Sequence, residues 1–368
     1  MGGLYTPPPN KKLSQLDFDE HVKSHAASAL AFIKFKYPNL PHVHVDIVNN
    51  WELNAAASKY LERYFIGVTR GTYLLLFDIF NKIFATKSIL PHLGDINLES
   101  EGKKTINVIQ TGYGIELDPN PENIVMPNDK VRGFYAQAYI SFALDFIIMH
   151  ELGHILRGHN GFIYENIKGL IWKEIGNTQR KNKFITTLDS QTLEMDADSF
   201  ATNWAFITAE VWHNRPLGDK NMALLFSDYS VFFGHWAFAI YTFFRLFGFY
   251  SLREKDINES SHPSPAIRAS MVFRNIEPML IARKMNIEEQ EKIKEAIASA
   301  IEAADIAFTE VTYHERSINT FFEVHKNADS YVTKLLYNWN LVRPKLEPFA
   351  FTVLPVLNKL AQSKTKIE

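Results

Sequence analysis

The stretch His150-Glu151-Leu152-Gly153-His154 constrains this chain most, because it places two imidazoles and a carboxylate in one apolar run. Residues four apart lie on the same face of a helix, so both histidines can point at one metal ion. The flanking residues predict a helix over about 135–157, with Gly158 as its stop. A buried helix carries such polar groups only if something satisfies them. The pattern therefore predicts a zinc ion bound by His150 and His154, with Glu151 as the base that takes a proton from water.

The third ligand is expected on a second helix, because a catalytic zinc ion usually has three protein ligands and a water. Glu194 and Asp198 lie four apart on one face of a predicted helix over about 189–212. One carboxylate can bind the ion while the other accepts the N–H of a ligating imidazole and fixes its tautomer. The small residues Ala197 and Ala201 would let this helix pack closely on the first. We predict Glu194 as the third ligand of one zinc ion per chain, with Asp198 supporting a ligating histidine.

Two further polar residues near these motifs are not expected to belong to the metal site. His159 lies five residues beyond His154, off the face that carries the two ligands, and is predicted to be a loop residue. Asp196 points to a different face of its helix from Glu194 and Asp198, so we expect it to be solvated.

Composition narrows the class of protein. The 368 residues are 46% hydrophobic, which is enough for a substantial core, and the net charge of −2 does not suggest a nucleic-acid surface. The absence of cysteine excludes disulfides, thiolate catalysis and cysteine-rich metal sites, and it fits a reducing compartment. Residues 1–12 also lack the basic and then apolar pattern of a secretion signal, so we expect a cytoplasmic protein.

The predicted fold class is α+β and mainly helical, with a small sheet. Alternating apolar residues predict strands at 42–48 and 63–69, and helices occupy most of the remaining chain. We predict a flexible tail at 1–13, a zinc metallopeptidase domain at 14–275, and a helical extension at 276–368 that packs on it. Ser264 and Pro265 are expected to begin a helix, as N-cap and first residue.

The most apolar segment, residues 222–250, has two interpretations. Its length would suit a membrane span, but His235 and Arg245 interrupt it and its apolar residues are largely aromatic. A buried core helix is favoured, and membrane association through 222–250 remains the alternative.

Taken together, these motifs resemble the gluzincin zinc metallopeptidases, which pair an H-E-x-x-H helix with an E-x-x-x-D helix. His262-Pro263 followed by Arg268 is similar to the His-Pro…Arg signature of the CaaX-prenyl-protease and heat-shock-protease group. That resemblance, over about residues 42–275, implies a zincin-like core in which His262 and Arg268 hold the substrate carbonyl or the oxyanion. It also implies an Asn-Ala turn at Asn54 and an edge strand at 63–69 that pairs with substrate through Phe65, Ile66 and Gly67.

The chain also resembles the phage-exclusion peptidases of bacteria, in its length and in the Phe-rich helix before His262. This resemblance implies an intracellular bacterial endopeptidase that hydrolyses a protein substrate in phage defence. Two alternatives stay open: a membrane-associated protease, and a non-catalytic zinc-fold module that acts as a sensor or binding platform. The sequence leaves the oligomeric state open.

Overall fold

A computed structural model describes residues 13–102, 108–111, 114–117, 125–167, 185–248, 260 and 262–356. Apart from Leu13, the predicted tail at 1–13 lies outside these residues. The helices are α1 Leu13–Lys36, α2 Arg70–Ala85, α3 Lys130–Leu156, α4 His159–Ile167, α5 Thr187–His213, α6 Lys220–Leu225, α7 Tyr229–Leu246, α8 Pro265–Arg274, α9 Ile276–Ala282, α10 Ile287–Val311, α11 Ile318–Asn327 and α12 Asp329–Leu346. The strands are β1 Val43–Val48, β2 Ala55–Tyr60, β3 Arg63–Thr69, β4 Val108–Thr111 and β5 Gly114–Leu117. The predicted α+β, mainly helical class is confirmed.

The larger sheet places β3 in its centre. Its order is β1-β3-β2, with β3 parallel to β1 and antiparallel to β2. The prediction that 63–69 is an edge strand for substrate is therefore wrong: β1 and β2 already occupy both hydrogen-bonding sides of Phe65, Ile66 and Gly67. The outer strand β2 packs on α3 and α4, and its Ala55 and Ala57 are buried.

Helix α3 is the central element of the fold. It is apolar on nearly all faces, a pattern typical of a helix surrounded by protein. Accordingly α2, α5 and α7 pack around it. By length and composition, α3 is the helix within the described residues that could cross a membrane, yet 89% of its apolar window is buried inside the protein.

The apolar segment 222–250 forms α6 and α7 in its described part, which ends at residue 248. Phe232, Phe233, Trp236 and Phe243 of α7 are buried, as the core-helix interpretation predicts. The Arg245 side chain is also buried, and its Nε donates to Asp305 Oδ1 at 3.1 Å. This ion pair joins α7 to α10 and accounts for the charge that interrupts the apolar segment.

The helices after residue 276 pack on the part of the chain that carries the two motifs. The residues Ile293, Ile297 and Ile301 form a buried stripe on α10, which packs along α7. Helix α12 packs on α5, where Asn338 Nδ2 donates to Asp189 Oδ1 at 3.0 Å. The last described segment reaches α3, because Phe351 N donates to Leu156 O at 2.9 Å. These contacts tie the chain's C-terminal helices to the ends of the helices that carry the two motifs.

Candidate metal centre

The side chains of His150, His154 and Glu194 converge in the core. Helix α3 carries both histidines, and their Nε2 atoms lie 3.0 Å apart. Glu194, on α5, spans the pair: its Oε2 lies 3.3 Å from His150 Nε2 and its Oε1 lies 3.4 Å from His154 Nε2. All three side chains are buried. Two imidazole nitrogens and a carboxylate, all within 4.8 Å of one another, form a group that could hold a metal ion.

Close packing of α3 on α5 brings the ligands together. Gly153 faces α5, where the Cα of Ala197 and the Cβ of Phe200 would each lie 3.3 Å from a Cβ built at Gly153. Ala197 and Ala201 are buried at the same interface, as expected from their size. Glycine and alanine therefore permit the short helix separation at which Glu194 can reach both imidazoles.

The charges of the candidate ligands follow from their surroundings. Burial alone would raise the pKa of Glu194, but His262, His154 and His150 outweigh it and hold that pKa well below its usual range. Burial lowers the pKa of His154 to about 4 despite the attraction of Glu194. Burial also opposes the charged form of His150, but Asp198 and Glu194 raise its pKa well above the usual value. At neutral pH, Glu194 is thus an anion and His154 a neutral imidazole, both in the form that binds a cation, whereas His150 must give up a proton to bind one.

Asp198 lies behind His150. Its Oδ1 is 2.8 Å from His150 Nδ1, the ring nitrogen that faces away from the candidate metal site. Arg268 of α8 donates two hydrogen bonds to the same carboxylate, from Nε to Oδ2 at 3.0 Å and from Nη2 to Oδ1 at 2.8 Å. Burial raises the pKa of Asp198, but Arg268 and His150 outweigh burial and hold that pKa below its usual value. The ionised carboxylate is placed to fix the orientation of the His150 ring.

The start of α8 places Arg268 and His262. Ser264 is the N-cap and accepts from Ile267 N at 3.4 Å, and Pro265 occupies the first turn, as the sequence predicts. His262 precedes the cap, with its Nε2 3.5 Å from Glu194 Oε1. Its side chain is 14% exposed, whereas those of His150, His154 and Glu194 are at most 1% exposed. His262 therefore lies on the side of the centre that is nearest to solvent.

Glu151 follows His150 directly in α3, and its side chain is buried. Asn54, which the resemblance placed in an Asn-Ala turn, lies just before β2. Its backbone N–H donates to Thr72 Oγ1 at 2.8 Å and its carbonyl accepts from Thr69 N at 3.0 Å. Asn54 thus joins the strands of the sheet to the start of α2.

His159 and Asp196 are the two residues whose surroundings the sequence interpretation misjudged. His159 is not a loop residue: it begins α4, is fully buried, and lies with its Nδ1 3.0 Å from His154 Nδ1. Asp196 is not solvated: it is buried, with its Oδ2 3.2 Å from His159 Nε2 and 3.8 Å from Arg157 Nε. Burial raises the pKa of Asp196, but Arg157 and His159 outweigh it and lower that pKa. The available signal was Gly158, which permits the sharp turn that folds His159 back towards His154.

Comparison with known proteins gives one family and no individual relative. Residues 115–284 match the family model of Peptidase U49. Neither the curated proteins nor the solved structures contain a match to this chain. The matched segment includes the three candidate ligands and also Glu151, Asp198, His262 and Arg268. The match supports a peptidase hydrolase that acts on proteins or peptides, and the buried His-His-Glu group gives it a possible metal centre.

Proposed function

We propose that this protein is a zinc-dependent endopeptidase of the gluzincin type, with zinc held by His150, His154 and Glu194. The closeness of the donor atoms of these three residues carries the proposal. A tetrahedral zinc ion with ligand distances of about 2.0–2.1 Å separates neighbouring donors by about 3.3–3.4 Å. Here the two Nε2 atoms lie 3.0 Å apart, and Glu194 approaches them with different oxygens, its Oε2 at 3.3 Å from His150 Nε2 and its Oε1 at 3.4 Å from His154 Nε2. Two imidazoles and one carboxylate also form a donor set that is typical of catalytic zinc.

The chain's own residues supply the proton transfers. When bound, zinc acts as a Lewis acid that polarises the scissile carbonyl and makes the attacking water more acidic. Glu151 accepts a proton from that water at a carboxylate oxygen and donates it to the leaving amine.

Asp198 and Arg268 orient the centre from behind. Asp198 accepts the Nδ1–H of His150, which leaves Nε2 free to bind the ion. Arg268 holds Asp198 with a two-point contact, and its Nη2 also lies 3.6 Å from Glu194 Oε2, so we assign it a positioning role towards both carboxylates. A further contact of Arg268 with the substrate carbonyl stays a prediction.

His262 is the residue that we propose to contact the substrate carbonyl. Of the residues at the centre, it is the one nearest to solvent, and its Nε2 lies close to Glu194 rather than behind a histidine ligand. An imidazole N–H placed there can donate to the oxygen on which negative charge develops. We also propose an intracellular role against phage, which rests on the resemblance alone.

Elemental analysis and peptide digestion of the purified chain test the proposal together. We expect about one zinc per wild-type chain and cleavage of an unbiased peptide library. Glu151→Gln keeps the shape of the side chain but cannot accept a proton, so it should retain zinc and lose hydrolysis by about 10²–10⁴-fold or more. The matched control is Glu165→Gln on the exposed side of α4, which should cleave at the wild-type rate.

Two outcomes would contradict the proposal. Turnover at the wild-type rate by Glu151→Gln would remove the general base from the reaction. A zinc-loaded wild-type chain that binds but cleaves no peptide of the library would instead favour the non-catalytic module.

A further inference from the structure

His150 and His154 are each supported at Nδ1, the ring nitrogen on the side away from the candidate metal site, but by different residues. His150 Nδ1 meets a carboxylate directly, that of Asp198, which Arg268 grips. His154 Nδ1 instead meets the Nδ1 of another imidazole, that of His159. Beyond His159 lie Asp196 at 3.2 Å and then Arg157. Each support therefore ends in a buried carboxylate beside an arginine, and the support of His154 is one imidazole longer.

The proton positions along this longer support follow from hydrogen-bond chemistry. A neutral imidazole that binds a metal through Nε2 carries its proton on Nδ1. His154 Nδ1–H can then donate only to an unprotonated His159 Nδ1. His159 must carry its own proton on Nε2, the nitrogen that faces Asp196 Oδ2. The carboxylate oxygen lies 3.2 Å from that nitrogen, close enough to attract the proton, so one consistent direction of donation leads from the metal ligand towards Asp196.

The backbone holds His159 firmly in this position. Gly158 adopts a φ of +83°, which an L side chain rarely adopts, and this turn separates α3 from α4. A Cβ on Gly158 would lie 2.8 Å from Leu346 O and Ala350 N, so the chain's C-terminal segment packs directly on the turn. His159 is also fully buried, and such a side chain has little freedom to leave His154.

We propose that His159 and Asp196 are positioning residues that orient the His154 imidazole for metal binding. This proposal rests on the proposed zinc site and extends it to residues that bind neither metal nor substrate. Residues that support metal ligands in this way typically contribute 10–100-fold to metal affinity. Loss of the His159 nitrogens should therefore weaken zinc binding by about 10–100-fold.

The two decisive variants differ in whether the side chain at position 159 keeps a hydrogen-bond donor and an acceptor. His159→Phe keeps a planar ring but has no donor or acceptor. His159→Gln can accept at Oε1 and donate from Nε2, so it can replace both contacts. Asn160→Ala is the matched control, because Asn160 is the adjacent buried polar residue and its Nδ2 donates to Ala57 O at 3.1 Å, outside the metal centre.

Zinc affinity is measured on the metal-free full chain by competition with a chromophoric chelator, with circular dichroism to confirm folding. We expect His159→Phe to bind zinc about 10–100-fold more weakly than wild type. His159→Gln should recover most of that loss, and Asn160→Ala should bind like wild type. A folded His159→Phe variant with wild-type zinc affinity would overturn the proposal while leaving the zinc site intact. A wild-type chain that does not bind zinc would refute the proposed function itself.

A second measurement needs no folded His159→Phe variant. Two-dimensional ¹H–¹⁵N NMR of histidine-labelled, zinc-loaded wild type reports which nitrogen of each imidazole carries the proton. The His159 signals are assigned by their loss in His159→Gln. We expect His159 to be protonated on Nε2 and His154 on Nδ1; protonation of His159 on Nδ1 would reverse the donor and refute the arrangement.

Discussion

Gly153→Ala should weaken zinc binding, because it would push apart the two helices that carry the ligands. A Cβ at this position would lie 3.3 Å from Ala197 Cα and 3.3 Å from Phe200 Cβ, tighter than ordinary van der Waals contact. Helix α5 would have to move away from α3 by about 0.3 Å to return these atoms to an ordinary van der Waals distance. Glu194 is part of α5, so its carboxylate oxygens would move away from His150 and His154.

The expected change in stability is a balance of two opposing terms. Alanine in place of glycine stabilises a helix interior by about 1 kcal/mol. Overpacking in a close interface costs about 1–3 kcal/mol. Gly153→Ala should therefore lie between no change and a loss of about 2 kcal/mol in the free energy of unfolding.

Gly133→Ala is the matched control, because Gly133 lies in the same helix and a Cβ there would meet nothing within 4 Å. It should gain about 0.5–1 kcal/mol from helix propensity alone. Urea unfolding of the metal-free variants, followed by zinc competition, measures both effects. Equal stabilisation by the two substitutions, with unchanged zinc affinity in both, would refute the account of the α3–α5 interface.

Three further predictions concern Arg268, Arg132 and the metal ion. Arg268→Lys keeps the charge but loses the two-point grip on Asp198, so zinc affinity should fall by about 10-fold; a fall in kcat alone, with zinc affinity unchanged, would assign Arg268 to the substrate instead. The buried guanidinium of Arg132 donates to five backbone carbonyls between residues 84 and 93. Arg132→Met should therefore cost about 3–5 kcal/mol in urea unfolding, and a loss below about 1 kcal/mol would contradict that role. Chelation should lower the melting temperature and zinc should restore it, since zinc at about 100 times its Kd adds about 2.7 kcal/mol to the folded state; a melting temperature that zinc does not change would argue against a bound ion.

The sequence predicts which candidate residues share a helix face, because each pair depends on local geometry. His150 and His154, like Glu194 and Asp198, lie four apart on a helix, and helical spacing alone places both members on one face. The start of α8 at Ser264 and Pro265 is equally local. Such features need no knowledge of which element packs on which.

The features that the sequence did not predict depend on distant contacts. The central position of β3 is set by pairing with β1 and with β2, and the latter begins with three alanines that give little strand signal. The burial of His159 depends on the turn at Gly158 and on residues 346–350, almost two hundred positions further along the chain. The burial of Asp196 depends in turn on His159. The contact between this carboxylate and the imidazole cannot be predicted until the turn at Gly158 is known.

The zinc ion itself tests the central claim most directly. A crystal of the purified chain, measured at energies just above and just below the zinc absorption edge, would locate the ion and identify it. We predict one anomalous peak per chain, present only above the edge, about 2.0–2.2 Å from the Nε2 atoms of His150 and His154 and from a carboxylate oxygen of Glu194. A zinc-supplemented crystal with no peak between these three side chains, or with a zinc peak elsewhere, would contradict the account.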